Sequence, residues 1–408
     1  MTLTPPDESR MTPDERRSAF SLASIYALRM LGLFMVMPVF MLEARHYEGG
    51  DDLSAIGMAM GVYGLVQACL QIPFGMAADR FGRKRVIYVG LALLALGSIV
   101  GAMATSVTGL ALGRALQGGG AISAAVTALL ADQTRDAVRT KGTALVGASI
   151  GLMFALSLVL GPLLSAWGGL SAIFGVTLLL AVCGVAIVRW WTPPEPGLPT
   201  ASAAKHGLWG LLVHPDLIRL NFGVFALYAV QLASWVAIPA LLIQAGVASA
   251  DHGWVYLPAV LLSFVVMGVT LFPMERRGLL RPLFLTCIVL VMVVQAVWAW
   301  LTMAPPPLWM LAVLLFLFFC GFNVLEASQP SLASRLAPTG SRGAALGVYN
   351  TLQSLGIFAG GAVGGLLIKN VGASGVFTAS AALMLLWMLV AWRGRYVNTS
   401  PAGVVTAH

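Results

Sequence analysis

The sequence predicts an all-α membrane protein of twelve transmembrane helices in two pseudo-symmetric six-helix halves, with both termini cytoplasmic. Three observations carry this. Of 408 residues, 59% are apolar and only 10% charged, where a soluble domain has about a quarter charged. The apolar residues fall into twelve runs of membrane-spanning length. The basic residues gather in alternate connections between those runs. With a mean hydropathy of +0.88, a soluble globule of this size cannot hide its apolar surface, which excludes a soluble enzyme. The low charge, the aperiodic glycine and the four cysteines exclude disordered, collagenous and disulfide-scaffold classes.

A bilayer core of about 30 Å takes a helix of roughly 20 apolar residues. Such runs lie near 18–42, 53–76, 86–104, 107–131, 142–166, 169–191, 218–244, 251–272, 282–303, 307–331, 343–368 and 371–392. A polar segment, 1–17, precedes the first. The run behind it exceeds a signal-peptide core and has no small-residue cleavage site, so a first membrane helix is expected there. Cys69, Cys183, Cys287 and Cys320 stand singly inside apolar runs; no disulfide framework, metal site or cofactor is expected. The segment 192–217, with Pro193, Pro194, Pro196 and Pro199, reads as a cytoplasmic linker between bundles at 18–191 and 218–393. Residues 394–408 form a cytoplasmic tail, and no connection is long enough for an independent soluble domain.

Lys and Arg set the orientation. Counted from a cytoplasmic N-terminus, the inner segments hold 20 of the 24 basic residues, including Arg80, Arg83, Lys84, Arg85, Arg276 and Arg277. The outer loops hold only Arg45 and Lys369, and the spans hold Arg29 and Arg114. Set against the acids, the net charge of +8 divides into +10 inside, −3 outside and +1 within the spans. The excess is a topology signal and not a nucleic-acid footprint.

The two halves repeat at an offset near 200. Leu31, Pro38 and Ala44 correspond to Leu232, Pro239 and Ala245; Asp79-Arg80-Phe81-Gly82 corresponds to Glu275-Arg276-Arg277-Gly278; Gly147 corresponds to Gly347. Six plus six helices about a central linker is an architecture of transporters whose halves rock around a mid-membrane site. Gly57/Gly61/Gly64, Gly147/Gly151 and Gly356/Gly360/Gly364 sit a turn apart on single faces. Small residues at that spacing let helices approach closely in lipid and serve as sliding contacts between halves.

The string Gly75-Met76-Ala77-Ala78-Asp79-Arg80-Phe81-Gly82-Arg83-Lys84-Arg85 resembles the signature loop of the major facilitator superfamily, G-x-L-A-D-R-x-G-R-[KR], with Ala77 where Leu is usual. Arg114-Ala115-Leu116-Gln117-Gly118 resembles the R-x-x-Q-G motif of proton-coupled members. Gly161-Pro162 resembles part of the antiporter motif G-x-x-x-G-P-x-x-G-G, with Ser157, Ser165 and Ala166 at its other small positions. Leu28 to Gly32, Gly113 to Gly120 and Phe322 to Ala327 look like the YajR-type branch of the drug/proton antiporters. That branch carries an added C-terminal soluble domain with no counterpart in this sequence, so roles tied to it are not expected. The resemblance covers residues 18–393 and implies the major facilitator fold in a bacterial-type inner membrane. It also implies alternating access and proton-coupled efflux of small amphipathic compounds, drugs included, by a monomer.

The resemblance further implies a charge latch on the inner face, built from Gly75, Asp79, Arg80, Gly82, Arg83, Asp132 and Gly343. A carboxylate at Asp79 can face the N-terminus of the eleventh span near Gly343, where free N–H groups carry partial positive charge. Arg83 can pair with Asp79 or with Asp132.

Ionisable groups inside spans are expensive and by default functional. Here they are Arg29, Arg114 and Glu326, the candidates for proton coupling. Dehydration favours a protonated carboxyl, and a nearby guanidinium favours the ionised form. A conformational change at Glu326 can therefore drive proton binding and release. Polar and aromatic residues recur at spacings of three or four residues, which keeps each set near one helix face. Tyr63 and Gln67, Arg114 and Gln117, Tyr228, Gln231 and Trp235, Asn323 and Glu326, and Asn350 and Gln353 predict a mixed polar and aromatic cavity. Phe34 and Met30 add adaptable contacts.

Two other readings stay open: a uniporter or importer of a metabolite, with the two arginines leaving room for an anion, and a non-transporting membrane sensor. None of the five histidines is expected inside a span, His252 standing at the very edge of the run near 251–272, and neither a nucleophile–base pair nor a Walker loop is visible, so an enzyme or an ATP-driven pump is not expected.

Overall fold

The computed structural model describes residues 11–195, 214–303, 306–337 and 342–394. Arg10, Lys205 and Arg395, most of the 192–217 linker and the tail from 395 lie outside the described residues. Among the described residues all regular structure is helical apart from one bridge between Glu48 and Ser106. Ten segments among the described residues are long and apolar enough to cross a membrane.

Helix α1 (Pro13–Val36) starts five residues before the expected span because Thr12 and Glu15 form a capping box, with Pro13 in the first turn. The two side chains satisfy each other's free N–H groups, and Glu15 also accepts Arg135 Nε at 2.8 Å. The helix stops six residues early, before Pro38, and the chain continues through a short turn, Phe40–Glu43. Helix α2 (Leu53–Phe81) is capped by Asp52, which accepts Ser54 N at 2.9 Å. It ends at Gly82, whose φ of +100° favours glycine. Helix α3 is Arg83–Ala102.

The run expected as one span at 107–131 is broken into α4a (Val107–Gly119) and α4b (Ser123–Asp132). Glycine permits the break: a Cβ at Gly118 would stand 2.3 Å from Tyr63 O, and one at Gly120 2.7 Å from Gly90 O. The next helical element, Asp136–Ala186, runs 51 residues but leaves helical φ/ψ at Gly168 and Gly169. Its arms, α5 (136–167) and α6 (170–186), are antiparallel. On α5, Ser149 bonds Ala23 O and Gly161 faces Met35; on α6, Thr177 bonds Gly32 O, and Trp191 beyond it bonds Arg17.

The second half comprises α7 (Pro215–Gln244), α8 (His252–Arg276), α9 (Leu280–Leu301), α10 (Leu308–Leu336), α11 (Arg342–Asn370) and α12 (Ala373–Trp392). Two expectations need correction. His252, expected outside the spans, opens α8 and is fully buried against Tyr256. The linker is shorter than 192–217, because α7 begins at Pro215 and residues 192–195 are bound to the first half. There Lys84 Nζ donates to Thr192 O at 2.9 Å and Gln133 Nε2 to the carbonyls of Pro193 and Pro194. Glu195 accepts the backbone N–H groups of Arg83 and Lys84.

The halves meet along α2 and α11. Cβ atoms at Gly57, Gly61 and Gly64 would fall within 2.7 Å of the backbone of Gly361, Phe358 and Ser354. Helix α5 meets α8, where Gly253 lies on Leu158 and Val159, and the Phe40–Glu43 turn rests on α7. These contacts lie toward the end that carries Glu43, Asp52 and Asp251, the far end. At the opposite end, which carries Arg80, Arg83 and Arg276, Gly343, Gly347, Gly147 and Gly268 have no atom within 4 Å of a built Cβ. Among the described residues, the close glycine contacts between the halves are those toward the far end.

Candidate functional site

In the first half the ionisable residues converge on Tyr63. Arg29 of α1 donates from Nη2 to Tyr63 Oη at 3.2 Å. The Arg114 guanidinium lies 4.7 Å from the centre of the same ring, a cation–π contact. Arg114 Nη1 donates to Gln117 Oε1 at 2.9 Å, and Gln117 Nε2 donates to Ser98 Oγ of α3 at 3.0 Å. Arg29 is 1% exposed and Arg114 2%. Among the described residues neither has a carboxylate within 4.0 Å, and three of their nitrogens have no acceptor. Gln67 is buried one turn from Tyr63, its Oε1 unpartnered.

In the second half Tyr228 Oη of α7 donates to Glu326 Oε1 of α10 at 2.5 Å. Tyr349 and Gln353 of α11 neighbour Tyr228, and Phe322 meets its ring edge at 5.8 Å. Glu326 is half-buried, as are Asn350 and Gln353, while Gln231 is buried. Among the described residues no cation lies within 4.0 Å of Glu326, so the structure does not join Glu326 to either arginine. Asn323 is buried, and its Nδ2 donates to Ser263 Oγ of α8 at 2.8 Å, which ties α10 to α8.

Above these groups an aromatic chain crosses between the halves. Phe34 meets Phe154 edge-on at 5.2 Å, Phe154 meets Phe319 at 5.8 Å, and Trp235 lies 6.4 Å from Phe319 and 5.1 Å from Tyr256. Phe154 and Phe319 escape sequence reasoning because a phenylalanine in an apolar run carries no mark of function. Ser98 leaves a weak signal as the lone serine of its span. A salt bridge of 3.1 Å between Lys369 and Asp52 joins α11 to α2 at the far end. That cation and two backbone N–H groups hold the Asp52 carboxyl below the usual aspartate range. At Gly161 a Cβ would stand 2.5 Å from Met35 O; the Gly161-Pro162 motif lets α1 and α5 touch.

At the basic end Arg83 is buried and binds both acids, Asp132 Oδ2 at 3.0 Å and Asp79. The Asp79 side chain is 71% exposed. A Cβ at Gly343 would meet no atom within 4 Å, and among the described residues the Asp79 carboxylate bonds Arg83 and not the start of α11. Arg80 is exposed and lies over Phe81, and Gly75 touches only Ala124.

Two helix bundles joined across a glycine seam around buried ionisable groups, with long apolar helices throughout, define a multi-pass membrane protein. Its lineage follows from comparison: the model of the Major Facilitator Superfamily matches residues 22–361, and the chain belongs to that family. The inner membrane transport protein YajR of Escherichia coli is 41% identical, over 94% of this chain and 85% of its own length. The multidrug resistance protein MdtH of Aeromonas salmonicida is 27% identical, over 88% of this chain and 90% of its own. The crystal structure of a D-xylose-proton symporter shares the fold, with a TM-score of 0.76 at 13% identity over 94% of this chain and 99% of its own.

Proposed function

We propose that the protein is a proton-coupled exporter of small amphipathic organic compounds, drugs included, working by alternating access as a monomer. In this reading it has twelve spans, with α4a and α4b forming one and α5 and α6 two. Both termini face the cytoplasm, and the conformation described above is open to the cytoplasm. The excess of basic residues at one end supports the orientation, and the inner-membrane YajR supports the location. The multidrug resistance relative supports the substrate class.

The observation that carries the proposal is Glu326: a half-buried carboxyl among apolar helices, held by one phenol, with no cation within 4.0 Å among the described residues. Rocking of the halves changes its water and its neighbours, and a carboxyl's proton affinity follows both. Aromatic groups around Tyr228 suit amphipathic molecules, and the aromatic chain seals the far end while the basic end is open.

Proton release on adding candidate compounds to the detergent-purified protein tests this. Wild type is expected to release protons and Glu326→Gln to release none; full coupling in the variant would remove Glu326 from the role. Arg29 and Arg114, buried without a carboxylate, favour a second reading, uniport or import of an anionic metabolite. Substrate flux indifferent to a pH gradient would select it.

A further inference from the structure

We propose that a groove at the basic end, between the start of α1 and the end of α6, is a binding site for the headgroup of an anionic phospholipid. The groove measures about 340 Å³ and is lined by Met11, Pro13, Arg16, Arg17, Phe20 and Trp191. Two of these six carry positive charge and none carries negative charge. Arg17 is pre-oriented: its Nε donates to Trp191 O at 2.7 Å and its Nη2 to Trp190 O at 3.1 Å, which leaves Nη1 for a ligand. Arg16 is exposed, and its side chain makes no hydrogen bond or ion pair among the described residues. Lys84 and Arg189 add to the same positive field, which Glu195 beside Lys84 offsets in part. The nearest acids along the chain do not cancel it: Glu15 is turned onto Arg135, and Asp14 is exposed outside the lining.

The rest of the groove is built for lipid. Phe20 is 47% exposed, Trp190 74% and Trp191 41%, and tryptophan prefers the headgroup level of a bilayer. A guanidinium fork matches two phosphate oxygens, and basic pockets between helices on the cytoplasmic side take anionic headgroups. A choline headgroup would set its own cation beside Arg16 and gain little.

The second half supplies an internal comparison. Between α9 and the end of α12 lies a groove of about 460 Å³, lined in part by Arg281, Thr286, Met388 and Trp392. There too an arginine is tied to the last carbonyl of the last helix, with Arg281 Nη2 on Trp392 O at 3.0 Å. That groove has a single cation and is expected to hold an anionic lipid more weakly. Assignment to the inner leaflet rests on the topology proposed above; binding itself does not.

The test is native mass spectrometry of the detergent-purified chain, titrated with phosphatidylglycerol or with phosphatidylcholine. The tightest phosphatidylglycerol is expected to weaken about fivefold in Arg16→Gln, the effect of one basic group near a lipid surface. It is expected to be lost in Arg16→Gln/Arg17→Gln, with phosphatidylcholine unaffected. Arg276→Gln/Arg277→Gln removes the same charge from the same end outside the groove and is expected to bind as wild type. Equal weakening in that control, no change in the groove variants, or displacement by millimolar inorganic phosphate alone would overturn the proposal. Arg16→Gln breaks no hydrogen bond of the fold and keeps the test valid if the double variant misfolds. Glu326→Gln is expected to bind lipid normally, so failure of the transport reading and of this one are distinguishable.

Discussion

The two halves treat their buried charge in opposite ways. In the first, Arg29 and Arg114 are enclosed and fixed through Tyr63, Gln117 and Ser98, a neutral network spanning α1, α2, α3 and α4a. In the second, Glu326 keeps one hydrogen bond, to Tyr228, and is half-exposed. An enclosed guanidinium keeps its charge, so the first half can change only by moving it. A half-buried carboxyl can instead change its protonation as its water and neighbours change. The difference teaches where to look for the moving part: in the proposed reading the first half provides a fixed positive field and the second the titrating group.

The largest effect that would break this contrast is at Glu326. Glu326→Gln is expected to abolish transport driven by a pH gradient, measured in proteoliposomes, while Ser98→Ala leaves it coupled. Next comes the seam between the halves. Gly361→Ala sets a Cβ 2.7 Å from the Gly57 carbonyl, which backbone cannot yield to, so the far end is expected to open and far-end cysteine probes to react faster. A matched pair then compares the two interiors. Ser98→Ala orphans the Gln117 amide and Ser263→Ala the Asn323 amide. Each is expected to cost about 1–3 kcal/mol in thermal unfolding, showing that the halves differ in charge handling and not in how well their amides are satisfied.

Two smaller effects concern the ends. Asp79→Asn is expected to change the stability of the present conformation by less than about 1 kcal/mol, as an exposed ion pair does. It is also expected to raise the population open at the basic end, read by inner-gate cysteine accessibility, since the partner near α11 is met only when that end closes. At the far end, the Asp52 carboxyl is held below its ordinary range by Lys369 and two N–H groups. A depressed carboxyl contributes fully above the ordinary aspartate value and loses its contribution as pH falls through the folded one. The Asp52–Lys369 contact should therefore be indifferent to pH above about 4 and weaken only below it, measured by spin-label distances across α2 and α11.

Much of the scaffold was readable because hydropathy and basic residues report on the bilayer directly. The interruption of α4 was not, since Gly118 to Gly120 look the same whether a helix is closely packed or broken; only the backbone of Tyr63 and Gly90 against them decides. Pro38 announced the end of α1, yet the apolar residues behind it kept the span running on paper. Arg29, Arg114 and Glu326 stood out because charge in an apolar run is conspicuous. Their partners did not, because a tyrosine that unites two arginines from different helices leaves no trace in spacing. Asn323 and Glu326 face different neighbours for a geometric reason. Three residues advance a helix by about 300°, and the 60° between Asn323 and Glu326 is enough to turn one toward α8 and the other toward Tyr228. His252 sits at the edge of a run where hydropathy is ambiguous, and its burial comes from tertiary contact with Tyr256.

The attachment of residues 192–195 to the first half bears on how the polypeptide can be divided. Glu195 caps α3 from a distance, and Lys84 and Gln133 hold the carbonyls before it. A gene cut just after Trp191 would strip the first fragment of a cap it needs. One cut after Glu195 would release two pieces that each keep their own hydrogen bonds, and co-expression from that point is the place to look for complementing fragments.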